Sequence, residues 1–466
     1  RATPAPINYR RLRGTSEAKL AALRTIGEAE DPFAGEWQRA PSGWLDPMIP
    51  PAGDAAWEDM PLLTDLFPWQ QPGCKFGRTW PIAPAAAILD RRWDRFRRAA
   101  PEERPALFFT ASSGRTVETK VRGMPTLAEV RANDASRPIR RYGFRSFDRQ
   151  WAFDDARMAK TESPSLWQSQ SARQIFLTSI LTESVGAGAA LTVSPDVPDL
   201  HFFCGRGGKD IIPLYRDAGA SLANLTAGLT STIGRLLGID PPPPEDVAAY
   251  CYAMLSPSAY QQRFAAALET AGLRVPITAD SELWEEAVEA GRYLLWLHTY
   301  AERLIDPAAG RPARVPEVPG IGWDVDVSRI PEDTSEIRYD EETGTIQVGD
   351  GRVGGVRPEV WAYSVSGMQV IPKWLGYRTR RGTGRAVSST SALDHIRPTE
   401  WHDDWNDELL DLVRILTITI DRQAELADLL GRVCEGELVS GADLPQPTGE
   451  QRRPPATLGE HSCPCP

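Results

Sequence analysis

The sequence predicts an α+β fold: two β-rich lobes, a helical spacer between them and a C-terminal helix. Three observations lead there. Residues 136–240 hold short apolar runs of strand length, punctuated by Gly and Pro. Between Glu245 and Asp306 the period changes to that of a helix, with Trp284, Ala287, Val288, Gly291, Leu294, Leu295, His298 and Ala301 along one face. Beyond Pro319 strand patterning returns, and it gives way to a helical run from Asn406 to Val433.

Taken in order, residues 1–135 form a Trp- and Pro-rich N-terminal region. Leu20, Leu23 and Ile26 predict a short amphipathic helix from Thr15 to Ile26, with Ser16 as its cap. Pro32 to Pro84, carrying Trp37, Trp44, Trp57, Trp69 and Trp80, suits extended segments laid across another surface. Ala85 to Ala99 reads as a helix opened by Pro84. The first β-rich lobe, 136–240, alternates aromatic and charged residues from Arg140 to Phe153, with further strands at Gln174–Thr182, Ala189–Val193, Asp199–Cys204 and Asp210–Tyr215. Pro241 to Pro244 lead into the spacer, 241–310, where Glu245 and Asp246 complement a helix dipole. In the second lobe, 311–402, Ile337 and Tyr339 face Ile346 and Val348 across Glu341-Glu-Thr-Gly344, a β-hairpin pattern, and Val360–Val365 gives another strand. The closing helix lies in 403–436, and 437–466 reads as a flexible tail.

A chain of 466 residues with 41% apolar residues, 15 Trp and 13 Phe is long enough for two or three packed units. No apolar run approaches the ~18–20 residues of a membrane span. The chain starts at Arg1 without a signal-type run, which predicts a piece of a longer polypeptide in the cytoplasm. Cysteines at 74, 204, 251, 434, 463 and 465 are too irregular for a disulfide framework or a four-ligand zinc site. Cys463 and Cys465 with His461 sit in a Pro-rich tail with nothing apolar to fix them, so no metal is expected. A net charge of −11 excludes a uniformly basic nucleic-acid surface and leaves local clusters. Three exist: Arg91, Arg92, Arg95, Arg97 and Arg98; Arg137, Arg140, Arg141, Arg145 and Arg149; and Lys373, Arg378, Arg380, Arg381 and Arg385. Asp90, Asp94, Glu102 and Glu103 surround the first, so a balanced solvated face is its alternative reading.

Several stretches carry a family likeness. They are Tyr9-Arg-Arg-Leu-Arg-Gly-Thr, Phe67-Pro-Trp-Gln-Gln-Pro-Gly-Cys-Lys-Phe-Gly-Arg-Thr-Trp, Tyr142-Gly-Phe-Arg-Ser-Phe-Asp-Arg-Gln-Trp, Asp199-Leu-His-Phe-Phe-Cys-Gly-Arg-Gly-Gly, Trp296-Leu-His-Thr-Tyr and Pro358-Glu-Val-Trp-Ala-Tyr-Ser-Val-Ser-Gly-Met-Gln-Val. In this order they resemble the C-terminal part of type ISP restriction-modification enzymes, which join motor, nuclease, adenine methyltransferase and specificity regions in one polypeptide. The resemblance runs from about Tyr9 to Leu444. It implies sequence-specific recognition of double-stranded DNA in the service of an upstream methyltransferase core. S-adenosylmethionine and catalysis would belong to that core, and no cofactor to this chain.

The residues themselves support a division of that kind. An adenine methyltransferase needs a glycine turn between strand and helix, and an Asn/Asp-Pro-Pro-aromatic loop that stacks on a flipped base. Phe203-Cys-Gly205-Arg-Gly207 imitates the first, but Lys209 to Tyr215 reads as a strand. Asp240-Pro-Pro-Pro imitates the second without its aromatic residue and looks like the start of a helix. Glu118-Thr-Lys120 lacks the preceding Asp a metal-dependent nuclease requires. His201 and His298 lie among apolar residues and read as core histidines, and no serine has a nucleophile-elbow context.

What remains is binding. Gly73-Cys-Lys-Phe-Gly-Arg-Thr is one residue short of a nucleotide-binding loop, yet its small residues and cations suit close approach to DNA phosphates, which nominates Lys75, Arg78 and Thr79. A turn pinned by local hydrogen bonds is the alternative. Base reading needs forked hydrogen-bonding groups beside a rigid element. Gln369, followed by Lys373, Arg378, Arg380 and Arg381, supplies them after the Val360–Val365 strand, and Arg145 and Arg149 form a second patch. A structural pair between Arg145 and Asp148 is the competing reading of that patch. Two other functions stay open: a protein-interaction module whose Trp-rich N-terminal region docks on the methyltransferase or motor, and a self-contained methyltransferase with degenerate motifs.

Overall fold

Helices and antiparallel sheets alternate along the chain in the α+β manner the sequence predicts. The computed structural model describes residues 5–12, 16–35, 37–40, 55–76, 80–108, 115–204, 209–381 and 397–456. In the first β-rich stretch the strands Ile139–Arg145 and Asp148–Phe153 form a hairpin, with Ile82–Ala83 added at its edge. A second sheet runs in the order Gln71–Pro72, Lys209–Pro213, Phe176–Ile180, Thr192–Ser194, every neighbour antiparallel. Bridges from Cys74 to Asp199 and from Gly143 to Pro198 tie the two sheets together. The loop at 73 can come this close only because it carries glycine: a Cβ on Gly73 would stand 2.7 Å from the Pro198 carbonyl oxygen.

The Trp-rich region is part of this core. Trp80 meets Phe96, Phe108 and Phe153 with ring centroids 5.2–5.6 Å apart, and Trp57 and Trp69 are buried. Short helices at Ala55–Asp59 and Leu63–Leu66 interrupt the extended course expected there. The predicted helix at 85–99 spans Ala86–Arg98, burying Ile88, Leu89, Trp93 and Phe96.

The spacer centres on Pro244–Leu255 and Ser281–His298. Asp280 caps the second helix by accepting from the Glu282 and Leu283 amides. These two helices touch backbone to backbone, since a Cβ on Gly291 would lie 1.8 Å from the Ala249 carbonyl oxygen. Tyr250 stacks on Trp284 beside that contact, centroids 4.2 Å apart. The later sheet has the order Gly322–Val325, Gly351–Gly354, Thr345–Val348, Ile337–Asp340, and pairs Ile337 with Val348 and Tyr339 with Ile346 as the sequence pattern requires.

Four expectations need correction. Val360–Val365 is not one strand: Pro358, at the first helical position, opens a turn of helix at Pro358–Trp361, leaving only Ser364–Val365 extended. Asp199–Cys204 is a turn, closed by the Phe202 amide on the Asp199 carbonyl and the His201 amide on its carboxylate. The closing helix is two, Asp404–Asp421 and Gln423–Glu435, broken at Arg422. Thr417 and Thr419 hydroxyls bond back to the Val413 and Ile415 carbonyls just before the break, a pattern that bends helices. The helix Leu229–Leu237 was missed altogether. A continuous set of packed apolar side chains runs from Trp57 to Leu444. Among the described residues no helix is long and apolar enough to cross a membrane.

Candidate nucleic-acid interface

Two β-hairpins carry the residues of interest. The first turns at Ser146 and Phe147, the latter in the left-handed region with φ 61°, and places Arg145 opposite Asp148. Arg145 reaches Asp199, Nη1 to Oδ1 3.0 Å. The Tyr142 hydroxyl donates to the other carboxylate oxygen at 2.8 Å, and burial together with the Asp199 charge pushes that phenol's pKa well up. Asp199 is thus pinned from three sides, and the strand-like bridge to Cys74 sets Lys75, half-buried, next in line.

The second hairpin pairs Ser364–Val365 with Met368–Gln369. Its two turn residues, Ser366 and Gly367, have φ 47° and 81°, the left-handed pair a two-residue hairpin demands. Gln369 therefore emerges exposed at the start of the helix Val370–Gly376, which buries Val370, Ile371, Trp374 and Leu375 and turns Lys373 to solvent. Tyr377 closes the gap between hairpins. Its ring takes the edge of Phe144 at 4.8 Å, the Lys373 ammonium at 5.1 Å and the Arg145 guanidinium at 5.9 Å. Two cations from segments over two hundred residues apart in sequence thus share one aromatic platform, with the exposed Gln369 amide at the opposite end of the helix Val370–Gly376.

Residues 65–412 match the family model described as the Type ISP C-terminal specificity domain. The chain belongs to that family. Three solved structures share the fold: a DrdV–DNA complex (TM-score 0.59, 16% identity, covering 89% of this chain and 42% of that one), a nuclease-deletion mutant of the Type ISP restriction-modification enzyme LlaGI in complex with a DNA substrate mimic (0.57, 16%, 91% and 32%), and the ATP-dependent Type ISP enzyme LlaBIII bound to DNA (0.59, 14%, 91% and 27%). This specificity domain therefore spans less than half the length of the chains it resembles. No curated protein matches it.

Within the specificity domain the remaining predicted residues divide by burial. Arg378 is fully buried, 3.1 Å from Asp148 and 3.5 Å from Glu408, so it offers nothing to an outside ligand as it stands. That pairing also answers the competing reading of the second patch: Asp148 holds Arg378, and Arg145 holds Asp199. Arg149 is largely covered, ion-paired with Glu302 and laid 3.8 Å over the Tyr300 ring. Arg380 and Arg381 are exposed and share Glu332, Arg381 at 2.8 Å; a surface pair of this kind is worth little and exchanges readily for a phosphate. Arg78, Thr79 and Arg385 lie outside the described residues. Arg137, Arg140 and Arg141 pair with Asp155, Asp154 and Glu408.

The imitation motifs resolve as structure. Pro243 and Pro244 open the helix Pro244–Leu255. The glycine run lies outside the described residues; the strand Lys209–Pro213 follows it, where the strand–turn–helix arrangement of a cofactor loop needs a helix N-terminus. His298 is a core histidine, 2.7 Å from the Tyr252 hydroxyl and 2.8 Å from Thr419 Oγ1, its pKa pulled down to about 3 by burial. His201 departs from expectation and is exposed, because the Asp199 turn carries it outward. Ser194 donates to the Asp196 carbonyl instead of facing a base. No group of three metal-binding side chains occurs among the described residues. A cavity at Phe147, Asp148, Ser194, His298 and Tyr300 measures about 10 Å3, at the lower limit for one water. Sequence reasoning missed Tyr377 and Asp199 as the organisers of the face; Asp199 has no signal beyond its place inside a resembling stretch, and Tyr377 lies seven residues past the end of one.

Proposed function

We propose that the face organised by Tyr377 holds duplex DNA and selects its sequence for an adenine methyltransferase module of the same polypeptide. S-adenosylmethionine and bond making would reside in that module. Lys75, Arg145, Lys373, Arg380 and Arg381 contact phosphates in this reading, with Arg78 and Thr79 as further candidates, and Gln369 reads a base edge from the junction of hairpin and helix. The observation that carries it is the convergence of Arg145 and Lys373 on the Tyr377 ring, at one end of a helix whose other end carries the exposed Gln369. The DNA named in the DrdV, LlaGI and LlaBIII structures supports it.

The test is fluorescence anisotropy with duplexes drawn from a randomised library, at several salt concentrations. At roughly 0.9 counterions per neutralised phosphate, five cations predict a log–log salt slope of about −4.5 and one duplex sequence bound well above the rest. Affinity that ignores salt and sequence would overturn the reading. Methyl incorporation by the isolated chain would instead place the chemistry here.

A docking role for the N-terminal region has its own support. In the helix Ser16–Glu28, Leu20 and Leu23 are 57% and 54% exposed, and Phe33 beyond it 62%. Replacing both leucines by serine should leave DNA binding intact and weaken association with a separately expressed methyltransferase module, measured by calorimetry.

A further inference from the structure

One of the cations the sequence nominated for DNA contact, Arg378, is the most deeply buried of its cluster among the described residues, and its contacts join the two halves of the proposed face. Arg378 has 0% of its side chain exposed. Nη1 and Nη2 each lie 3.1 Å from Asp148 Oδ1, Nη1 also donates to the Trp374 carbonyl at 3.0 Å, and Nη2 stands 3.5 Å from Glu408 Oε2. The guanidinium plane lies 3.5 Å over Trp374 and 5.6 Å from the Trp405 ring. Glu408 in turn accepts from Arg141 at 2.7 Å, which balances two carboxylates with two guanidiniums.

Each partner leads to the face. Asp148 is the cross-strand neighbour of Arg145 in the first hairpin. Trp374 follows Lys373 in the helix that begins after Gln369. Glu408 anchors both to the closing helix Asp404–Asp421. A buried ion pair of this kind contributes little net stability over an apolar pair of equal volume, but it admits fewer geometries. Base reading tolerates about 0.5 Å of misplacement, so such a restraint has a use beyond folding.

Resting on the DNA reading above, we propose that Arg378 is a positioning residue for sequence recognition: by locking Asp148 to the Trp374 helix it sets the spacing between Arg145 and the Gln369–Lys373 pair. Arg145 then fixes the backbone register in which Gln369 meets its base. Arg378 itself touches no DNA.

The experiment uses the full 466-residue chain. A duplex is first enriched from a random library on the wild-type chain, and affinities for it and for a scrambled duplex are measured by anisotropy. Wild type that binds neither sinks the DNA reading and leaves this inference without an object, a result distinct from those below. The double variant Arg378→Met with Asp148→Leu replaces the buried pair by apolar groups. It should fold, keep its scrambled-duplex affinity and salt slope within roughly twofold, and lose about tenfold in the ratio of the two affinities. Arg378→Lys keeps the charge but not the fork, and should lose the ratio by a few-fold. A merely structural role lowers both affinities together through the folded fraction and leaves their ratio alone. An unchanged ratio in the folded double variant overturns the proposal. If that variant does not fold, an unchanged ratio in Arg378→Lys overturns it.

Discussion

Two arginine-rich stretches of this chain look alike in sequence and end differently. Along Ala86–Arg98 two cations, Arg92 and Arg97, are partly buried, a third is ion-paired at the surface, and Arg95 and Arg98 are exposed. Arg92 donates to the Trp80 and Ile82 carbonyls at 2.7 and 2.8 Å, Arg97 pairs with Asp94 and reaches the Ala132 carbonyl, and Arg91 pairs with Glu400. Along 369–381 one cation, Arg378, is buried, while Lys373 stays exposed with no carboxylate partner among the described residues. The first stretch lies on an aromatic cluster whose connecting loops leave carbonyls in need of donors, and Arg92 and Arg97 serve as loop anchors. In the second, Arg378 also donates to a carbonyl, that of Trp374, but Asp148 pairs with it in the interior, while Lys373, Arg380 and Arg381 stay exposed. Charge density in a window of sequence does not separate these outcomes; the groups that approach from distant segments do.

The largest expected effect lies beneath the second stretch. The His298 ring meets Phe147 at 5.1 Å, and Phe147 meets Tyr363 at 6.0 Å, just before the Gln369 hairpin. With its pKa pulled down to about 3, His298 stays neutral in the folded chain while the unfolded chain takes up a proton near pH 6.5. The unfolded state then binds more protons between those values, so stability is complete above about pH 6.5 and falls as pH drops towards 3. At pH 4 this amounts to about 3 kcal/mol. His298→Gln should be less stable than wild type at pH 7, and urea midpoints should show the gap closing by that amount at pH 4. A gap independent of pH would remove His298 from the account of acid sensitivity.

Next in size is Arg92→Ala. Two half-buried carbonyls lose a charged donor, which should cost about 2–3 kcal/mol in urea unfolding. Binding by the folded molecules should keep its sequence preference, because this stretch takes no part in the face. A change in preference would erase the distinction between the two stretches.

Much of the architecture was legible because it follows from period and punctuation. The hairpin at Ile337–Val348 came through residue for residue, and the helical face from Trp284 to His298 was found, since alternation and the i, i+3, i+4 pattern report burial directly, although the expected face ran on to Ala301 and the block from Glu245 to Asp306 is several helices. Leu229–Leu237 was hidden because it is short, although Leu229, Ile233 and Leu237 keep a helical spacing. The break at Arg422 was hidden because no Gly or Pro marks it. For the site, the segments were legible and the roles within them were not. Arg378 and Arg381 are both arginines in one basic run, and only the approach of Asp148, 230 residues away in sequence, buries one of them.

The smallest effects test whether the exposed members of the second stretch do separate jobs. Gln369 is exposed and makes no capping bond with its side chain, so Gln369→Ala should change stability by less than about 0.5 kcal/mol. If it reads a base, its loss relaxes preference at one position of the enriched duplex by roughly 1–2 kcal/mol and leaves the salt slope alone. Lys373→Ala should do the reverse: every duplex is bound somewhat less tightly, and the slope falls by about one unit with the ranking of sequences unchanged. Measured side by side, the two variants separate selection from grip. If Gln369→Ala flattens the slope, or Lys373→Ala reorders the sequences, then the start of the helix and its outer face act as one contact, and the division of labour along 369–381 is wrong.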